Sequence, residues 1–389
     1  MPAAYRLAIF YFAFFAYVGV SAPFLPLYLS ARGLDATGIA LVLAMPAAAR
    51  IVAPSFWGWI ADRSGARRRV VIFSCLVQVC GFAVLPEMEA AATMAVLFCV
   101  MGMLAGGAMP VVETIALTAL ARTHTTPGSA GRYGHVRLWG SLGFVVGVLG
   151  AGLWLDRHEA VTLSALLLAT TLTTLVAAMG LPDSRAAAPG SPTAGSQVIN
   201  SALAVMIAAG FCMAVAHGAL YAFFSLHLQT LGHAASTIGW LWTLGVVAEI
   251  AVFILLPRLL RRFSLIALLA ASLVAAVVRF AAIAWAGESL AVLVFAQMLH
   301  ALTFGVHHAA SVIAVQRLVP EGGHARGQAL FSGLSYGAGG AVGSALAGWL
   351  WEIWGAAWMF TASAGAALIG AAVIIGLRRV LWKADAHER

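Results

Sequence analysis

Charge is the scarcest property of this sequence, and its scarcity excludes a water-soluble fold. Only 9% of the 389 residues are charged and 62% are hydrophobic, with a mean hydropathy of +0.96. Soluble domains carry about 25% charged residues. Apolar runs recur along the whole chain, and most exceed the roughly 20 residues that cross a bilayer as a helix. The sequence therefore predicts an all-α integral membrane protein.

Several chemical motifs are also missing. The four cysteines lie inside apolar runs without paired or metal-ligand spacing, so we expect them to be packing residues. No Walker-type phosphate loop and no nucleophile with a suitably spaced base are present. His307 and His308 are adjacent, so on a helix they point about 100° apart and cannot chelate one metal together. We expect no enzyme activity, no cofactor and no metal, and an ion gradient as the energy source.

Twelve apolar runs are predicted to span the membrane. Of the 22 Lys and Arg, three lie within these runs and two, Arg32 and Arg157, fall in one set of loops, so 17 share the side of both termini. The positive-inside bias then places both termini in the cytoplasm, in a cell inner (plasma) membrane. Because the net charge of +8 is dispersed among short loops, no nucleic-acid partner is expected. The predicted spans are 5–29, 37–60, 70–86, 92–120, 137–155, 161–181, 200–228, 236–256, 265–286, 289–316, 328–350 and 356–377.

The chain also contains an internal duplication. A polar stretch from Pro182 to Ser196 divides six spans from six, which predicts an N-terminal bundle (1–181), a cytoplasmic linker (182–199) and a C-terminal bundle with a short cytoplasmic tail (200–389). Parallel six-span repeats are the architecture in which two bundles rock about a central site, so secondary transport is expected. Matched glycines predict close helix packing in both halves. They are Gly143 and Gly147 in the fifth span and Gly339 and Gly343 in the eleventh.

The loop between the second and third spans has a distinctive order of residues. Gly58 is expected to allow a tight helix contact, Gly65 to permit a turn, and Asp62 to accept hydrogen bonds from arginines such as Arg63 and Arg67. Such a charged latch would favour the state closed to the cytoplasm. The alternative is an ordinary Arg-rich cytoplasmic loop. The order resembles the signature loop of the major facilitator superfamily, although the matching loop at 257–262 lacks the Asp and both glycines.

Three further segments make the resemblance more specific, to one family within this superfamily. Residues 23–28 close the first span, 132–143 open the fifth, and 307–310 lead to 326–337. Together they resemble the phenylpropionate permease family, which lies near the lactose permease and nucleoside:proton symporter branches. This resemblance implies the major facilitator fold, proton-coupled uptake by alternating access and an aromatic acid as the solute. Sugar or nucleoside symport and proton-driven efflux of drugs or metabolites remain alternatives, and a monomer suffices for this fold.

Ionisable residues within the spans are the candidate functional residues. Each costs about 3 kcal/mol or more in hydrocarbon, so such residues normally pair or face a watery cavity. The order Glu249, Arg279, His300 resembles the proton-coupling trio of lactose permease, with Thr303 where that permease has a further carboxylate. Arg50 with Glu249 forms either a cavity pair or a fixed ion pair, and Glu113 with Arg137 either a salt bridge or a gating pair. The solute-binding candidates are Arg50, Glu113, Arg137, His217, Tyr221, His307 and Tyr336.

Overall fold

The computed structural model describes residues 2–121, 129–183, 199–320 and 323–381, and these residues are helical almost throughout, with no strand among them. Eleven helices in this part of the chain are long and apolar enough to cross a membrane. They are α1 (Ala3–Ala31), α2 (Ala36–Ser64), α3 (Arg67–Glu87), α4 (Ala91–Leu120), α5 (Ser129–Leu155), α6 (Ala160–Met179), α7 (Ser201–Thr230), α8 (Ala235–Arg262), α9 (Leu265–Ala286), α10 (Leu290–Leu318) and the double-length helix His324–Gly376.

The last of these helices contains two crossings. It is 53 residues long, and Gly355 interrupts it with φ 76°, a left-handed conformation that favours glycine. We number the two parts α11 (324–354) and α12 (356–376). The prediction of twelve membrane crossings in an all-α protein is therefore confirmed.

Four crossings are interrupted near their middle. In α2 the helix breaks at 50–52, directly before Pro54, whose ring would clash with the carbonyl of Arg50 in a continuous helix. A similar break occurs in α4 at 106–107. In α10 and α11 the interruption is a π-helical segment, at Ala301–Val306 and Ser332–Ala338 respectively. Such segments re-aim the side chains on either side, and they occur frequently at functional sites.

The described residues form two compact units. Unit 1 holds α1–α6 together with Leu228–Thr243, and unit 2 holds α7 as far as His227, α8 from Leu244, and α9–α12. The division at the end of the sixth span stays a prediction, because residues 184–198 of the predicted linker lie outside the described residues. Residues 382–389 of the predicted tail also lie outside them.

Each unit contains the same set of glycine contacts. An added Cβ would collide with the backbone carbonyl of a residue on the facing helix, and the pairs are Gly143 with Phe12, Gly147 with Ala16, Gly339 with Phe211, and Gly343 with Val215. Shifting α1 by 199 positions and α5 by 196 converts the first two pairs into the last two. The close glycine packing expected in both halves is thus confirmed, and it is built in the same way twice.

We predict that Gly343→Ala destabilises the protein whereas Gly365→Ala does not. A Cβ added at Gly343 would meet the Val215 backbone, which cannot move aside as a flexible side chain can, while one added at Gly365 meets nothing within 4 Å. Overpacking of this kind costs about 1–3 kcal/mol. Thermal unfolding of the purified variants measures the difference. Equal melting temperatures for the two variants would contradict the packing described for α7 and α11.

Candidate functional site

Three helices of unit 2 meet around Arg279 in the middle of α9. This side chain is completely buried. Its Nη1 lies 3.0 Å from Nδ1 of His300 and donates to Oγ1 of Thr303 at 3.0 Å. Its Nη2 donates to Oε1 of Gln297 at 2.7 Å, and Nε2 of His217 lies 3.4 Å from Nη1. Helices α7, α9 and α10 therefore each supply part of one polar cluster inside the membrane-spanning region.

Glu249 of α8 joins this cluster through His300. Its Oε2 lies 4.0 Å from Nε2 of His300, and its side chain is 20% exposed. Gly305 permits the approach of α10 to α8, because an added Cβ there would lie 3.0 Å from Val252 and 3.2 Å from Cγ of Glu249. The three residues predicted from the trio, Glu249, Arg279 and His300, thus lie together.

The guanidinium of Arg279 has only neutral partners. In the described part of the chain no Asp or Glu oxygen lies within 4.0 Å of it, and its Nε has no hydrogen-bond acceptor there. Glu249 and Arg279 therefore do not form a direct ion pair in this structure. Because hydrocarbon penalises an uncompensated charge by about 3 kcal/mol or more, the cluster favours an anion nearby.

The donor properties of arginine determine the tautomers of both histidines. A guanidinium only donates hydrogen bonds, so His300 must accept at Nδ1, and the neutral ring then carries its hydrogen on Nε2, facing Glu249. His217 contacts the carbonyl of Met213 through Nδ1 at 2.9 Å, so Nδ1 donates and Nε2 is the acceptor facing Arg279. A second proton on either ring would point an N–H at the guanidinium.

An aromatic series continues from this cluster along α10. The rings of His300 and Phe304 are nearly parallel with centroids 5.3 Å apart, and those of Phe304 and His308 are nearly parallel at 6.0 Å. Nδ1 of His308 lies 3.3 Å from the hydroxyl of Tyr336, and Phe304, His308 and Tyr336 are all half-buried. Tyr221, 39% exposed, lies close enough to Arg279 for electrostatic interaction. Flat, partly accessible rings therefore lie beside a buried cation.

Two of the predicted solute-binding residues are placed differently. His307 is 2% exposed, and its Nδ1 lies 2.8 Å from the hydroxyl of Ser272 on α9, so it packs between α9 and α10 in this structure. The partly accessible member of the histidine pair is His308. His217, 5% exposed, is occupied by Arg279 and the Met213 carbonyl. Direct contact of His217 and His307 with a solute stays a prediction.

Unit 1 contains the remaining predicted intramembrane charges. The guanidinium of Arg137 lies over the rings of Phe15 and Tyr11, at 4.2 and 5.6 Å from their centroids. Glu113 interacts with Arg137 electrostatically, but the two are not within the 4.0 Å of an ion pair in the described structure, so of the two alternatives the fixed salt bridge is not formed here and the gating pair stays a prediction. Arg50 is exposed at the break in α2 and interacts electrostatically with Tyr17.

The loop between α2 and α3 contains a short ion pair. Oδ1 of Asp62 accepts a hydrogen bond from Nη2 of Arg67 at 2.7 Å, while Arg63 lies over the Trp59 ring at 5.8 Å. Gly65 ends the helix with φ 64°, so the turn expected there is confirmed. The tight contact expected at Gly58 is wrong, because an added Cβ would meet nothing within 4 Å.

Comparison of the sequence with protein-family models assigns the chain to a family over most of its length. The model described as "MFS_1 like family" matches residues 4–362. The chain belongs to that family. It is accordingly a multi-pass membrane transporter of the major facilitator type and not an enzyme, as the resemblance implied.

Individual relatives agree with this assignment. The chain is 29% identical over 360 residues to the "Probable 3-phenylpropionic acid transporter" of Escherichia coli (strain K12), and the match covers 90% of this chain and 91% of that protein. It is 27% identical over 363 residues to the "Maltose permease" of Geobacillus stearothermophilus, covering 90% and 89%. A mutant of the nucleoside transporter NupG has the same fold, with a TM-score of 0.85, 16% identity, and coverage of 96% and 99%.

Sequence reasoning missed Gln297 as a member of the Arg279 cluster, and it noted Thr303 only as the place of a missing carboxylate. Gln297 provides the shortest hydrogen bond to the guanidinium, and Thr303 a second one. The available signal was their spacing, since Gln297, His300 and Thr303 follow one another at intervals of three along an otherwise apolar helix. No group of three or more His, Cys, Asp or Glu suited to a metal ion occurs among the residues with described positions.

Proposed function

We propose that this transporter takes up a small organic anion together with a proton, and that the solute is an aromatic acid such as a phenylpropionate-like compound. The observation that carries the proposal is the buried Arg279 with only neutral partners, linked through His300 to a partly accessible Glu249. A cation of this kind favours either an ionised Glu249 or a solute carboxylate nearby. Exchange between these two anions couples solute to proton.

Glu249 is the proton-binding residue in this scheme. His300 and His217 are poor candidates, because each directs a lone pair at Arg279 and a further proton there would face the guanidinium. When the solute carboxylate is present, protonation of Glu249 keeps the charge of the cluster unchanged. When the solute has left, loss of that proton restores the charge balance with Arg279, and the empty carrier can return.

The aromatic part of the solute is assigned to the ring series beside the cluster. Phe304, His308 and Tyr336 offer flat faces and edges, which suit a planar ring better than a saturated one. The name of the Escherichia coli relative includes an aromatic acid, which supports the same class. In unit 1, Arg50, Glu113 and Arg137 stay proposed solute-binding residues.

Uptake into proteoliposomes tests the substrate class. Labelled 3-phenylpropionate, maltose and a nucleoside are offered separately to vesicles with an imposed pH gradient, acidic outside. We expect accumulation of the aromatic acid beyond the passive level in protein-free vesicles, and none of the other two. Accumulation of maltose alone would favour the sugar alternative that the Geobacillus relative represents. Accumulation in the absence of a pH gradient would contradict coupling to a proton.

We predict that Asp62→Asn slows transport more than it weakens solute binding. Asp62 is exposed and pairs with Arg67 where α2 passes into α3, beyond the predicted end of the second span, so its loss should change the balance between conformations and not the contacts to the solute. Flux and equilibrium binding are measured on the same preparation, with Asp35→Asn, an exposed helix cap elsewhere, as the control. A parallel loss of both quantities in folded Asp62→Asn protein would refute the gating role.

We also propose that both termini and the linker are cytoplasmic. A single cysteine at position 190 is then labelled by an impermeant maleimide only after the cells are opened, because 17 of the 22 basic residues lie on that side. The control cysteine replaces Glu159, which lies in the opposite set of loops and should react in intact cells. Labelling of position 190 from outside would reverse the orientation.

A further inference from the structure

A cavity at one end of unit 2 combines a positively charged mouth with an apolar wall. It has a volume of about 580 Å³ and lies between the start of α9 and the end of α12. Arg378 and Arg379 form its charged side, and Ile266, Ala267 and Ile375 contribute to the apolar side. Both arginines are exposed, and the Ile375 side chain is 50% exposed. The cavity is separate from the Arg279 cluster.

The positive charge at this end is not balanced by the described protein. Neither Arg378 nor Arg379 lies within 4.0 Å of a carboxylate in the described residues. Two further arginines, Arg261 and Arg262, end the neighbouring helix α8. The acidic residues described in unit 2 lie elsewhere: Glu249 in the interior of α8, Glu288 after the far end of α9, and Glu352 at the far end of α11. The local positive charge therefore favours binding of an anion that is not part of the described residues.

A helix terminus adds to the same preference. The cavity is also lined by Ser264, which caps the 22-residue helix α9 by accepting a hydrogen bond from the backbone N–H of Ala267 at 3.2 Å. The N-terminus of a helix carries a partial positive charge and unpaired N–H groups, which favour a phosphate.

We propose that this cavity binds one anionic phospholipid. Its phosphate would lie against Arg378, Arg379 and the N-terminus of α9, and an acyl chain would lie along the apolar wall. The charge partition assigns this end to the cytoplasmic leaflet, where anionic lipids attract basic residues. A free phosphate ion would match the arginines but leave the apolar wall uncovered, so the two-part lining favours a lipid.

Binding of phosphatidylglycerol and phosphatidylcholine with identical chains to the purified full-length transporter tests this site. Native mass spectrometry gives the affinity of each lipid. We expect phosphatidylglycerol to bind more tightly, and Arg378→Gln with Arg379→Gln to weaken it roughly 30-fold, since each arginine near a membrane surface contributes a factor of about 5. Ala267→Phe, which fills the groove without changing the charge, should weaken it as well.

Two controls separate this site from general attraction. Arg6→Gln with Arg69→Gln removes the same charge from exposed positions in unit 1, and phosphatidylglycerol binding should not change. Inorganic phosphate at millimolar concentration should not compete. The proposal is overturned if the control pair loses as much affinity as the Arg378 and Arg379 pair, if phosphate alone displaces the lipid, or if Ala267→Phe binds lipid like the unchanged protein. Melting temperatures without lipid verify that every variant is folded.

Discussion

Glu249→Gln is expected to abolish accumulation of solute driven by a pH gradient while leaving exchange of solute across equal pH intact. The amide has the shape of the protonated carboxyl but cannot release a proton. The loaded carrier therefore still crosses, whereas the empty carrier keeps an unbalanced Arg279 and returns slowly. In the unchanged protein each pH unit supports roughly tenfold accumulation, because one unit corresponds to about 1.4 kcal/mol.

The matched control for this variant is Glu352→Gln. Glu352 is exposed at the end of α11, so the substitution removes the same charge without touching the cluster. It should accumulate solute normally. Accumulation against a gradient by Glu249→Gln would place proton coupling elsewhere, with Glu113 as the remaining intramembrane acid to examine.

Arg279→Lys is expected to reduce transport roughly 100-fold although the charge is kept. The guanidinium joins Gln297, His300 and Thr303 at 2.7–3.0 Å from two nitrogens, and one ammonium group cannot reproduce that fork. Loss of one or two buried hydrogen bonds to a charged group, each worth about 1.5–3 kcal/mol, gives this magnitude. Uptake rates of equal amounts of folded protein measure the effect.

A graded series distinguishes this network from a simple need for positive charge. Gln297→Met removes only the 2.7 Å hydrogen bond and should reduce transport about tenfold. Arg258→Lys, at an exposed position of α8, should have no effect. If Arg279→Lys transports like the unchanged protein, the charge alone matters and the hydrogen-bond geometry has no role.

Hydropathy predicted the crossings because the bilayer imposes one length on all of them. The second span was predicted at 37–60 and the helix runs from Ala36 to Ser64. The eighth span was predicted at 236–256 and its helix begins at Ala235. The helices continue farther into the cytoplasmic side, where charged residues such as Arg261 and Arg262 are solvated. Hydropathy falls at these residues, but the backbone hydrogen bonds do not end there.

The cluster around Arg279 was only partly predictable. Spacing brought Glu249, Arg279 and His300 together, but it could not decide between His307 and His308, because the preceding π-helical segment Ala301–Val306 changes the direction in which later side chains point. No proline or glycine pattern in that segment distinguishes a π-helix from an α-helix. The sequence also could not predict the surroundings of Arg137, because its cation–π contact with Phe15 competes with pairing to Glu113.

The movement of protons together with solute tests the central claim most directly. Unlabelled solute is added to proteoliposomes in a weakly buffered suspension with equal pH on both sides of the membrane, and the external pH is recorded. We expect an aromatic acid to make the medium more alkaline than it does with protein-free liposomes for the unchanged protein and for Glu352→Gln, and no more alkaline than with protein-free liposomes for Glu249→Gln. Solute entry without any change of external pH in the unchanged protein, or an unchanged response in Glu249→Gln, would contradict proton coupling through Glu249.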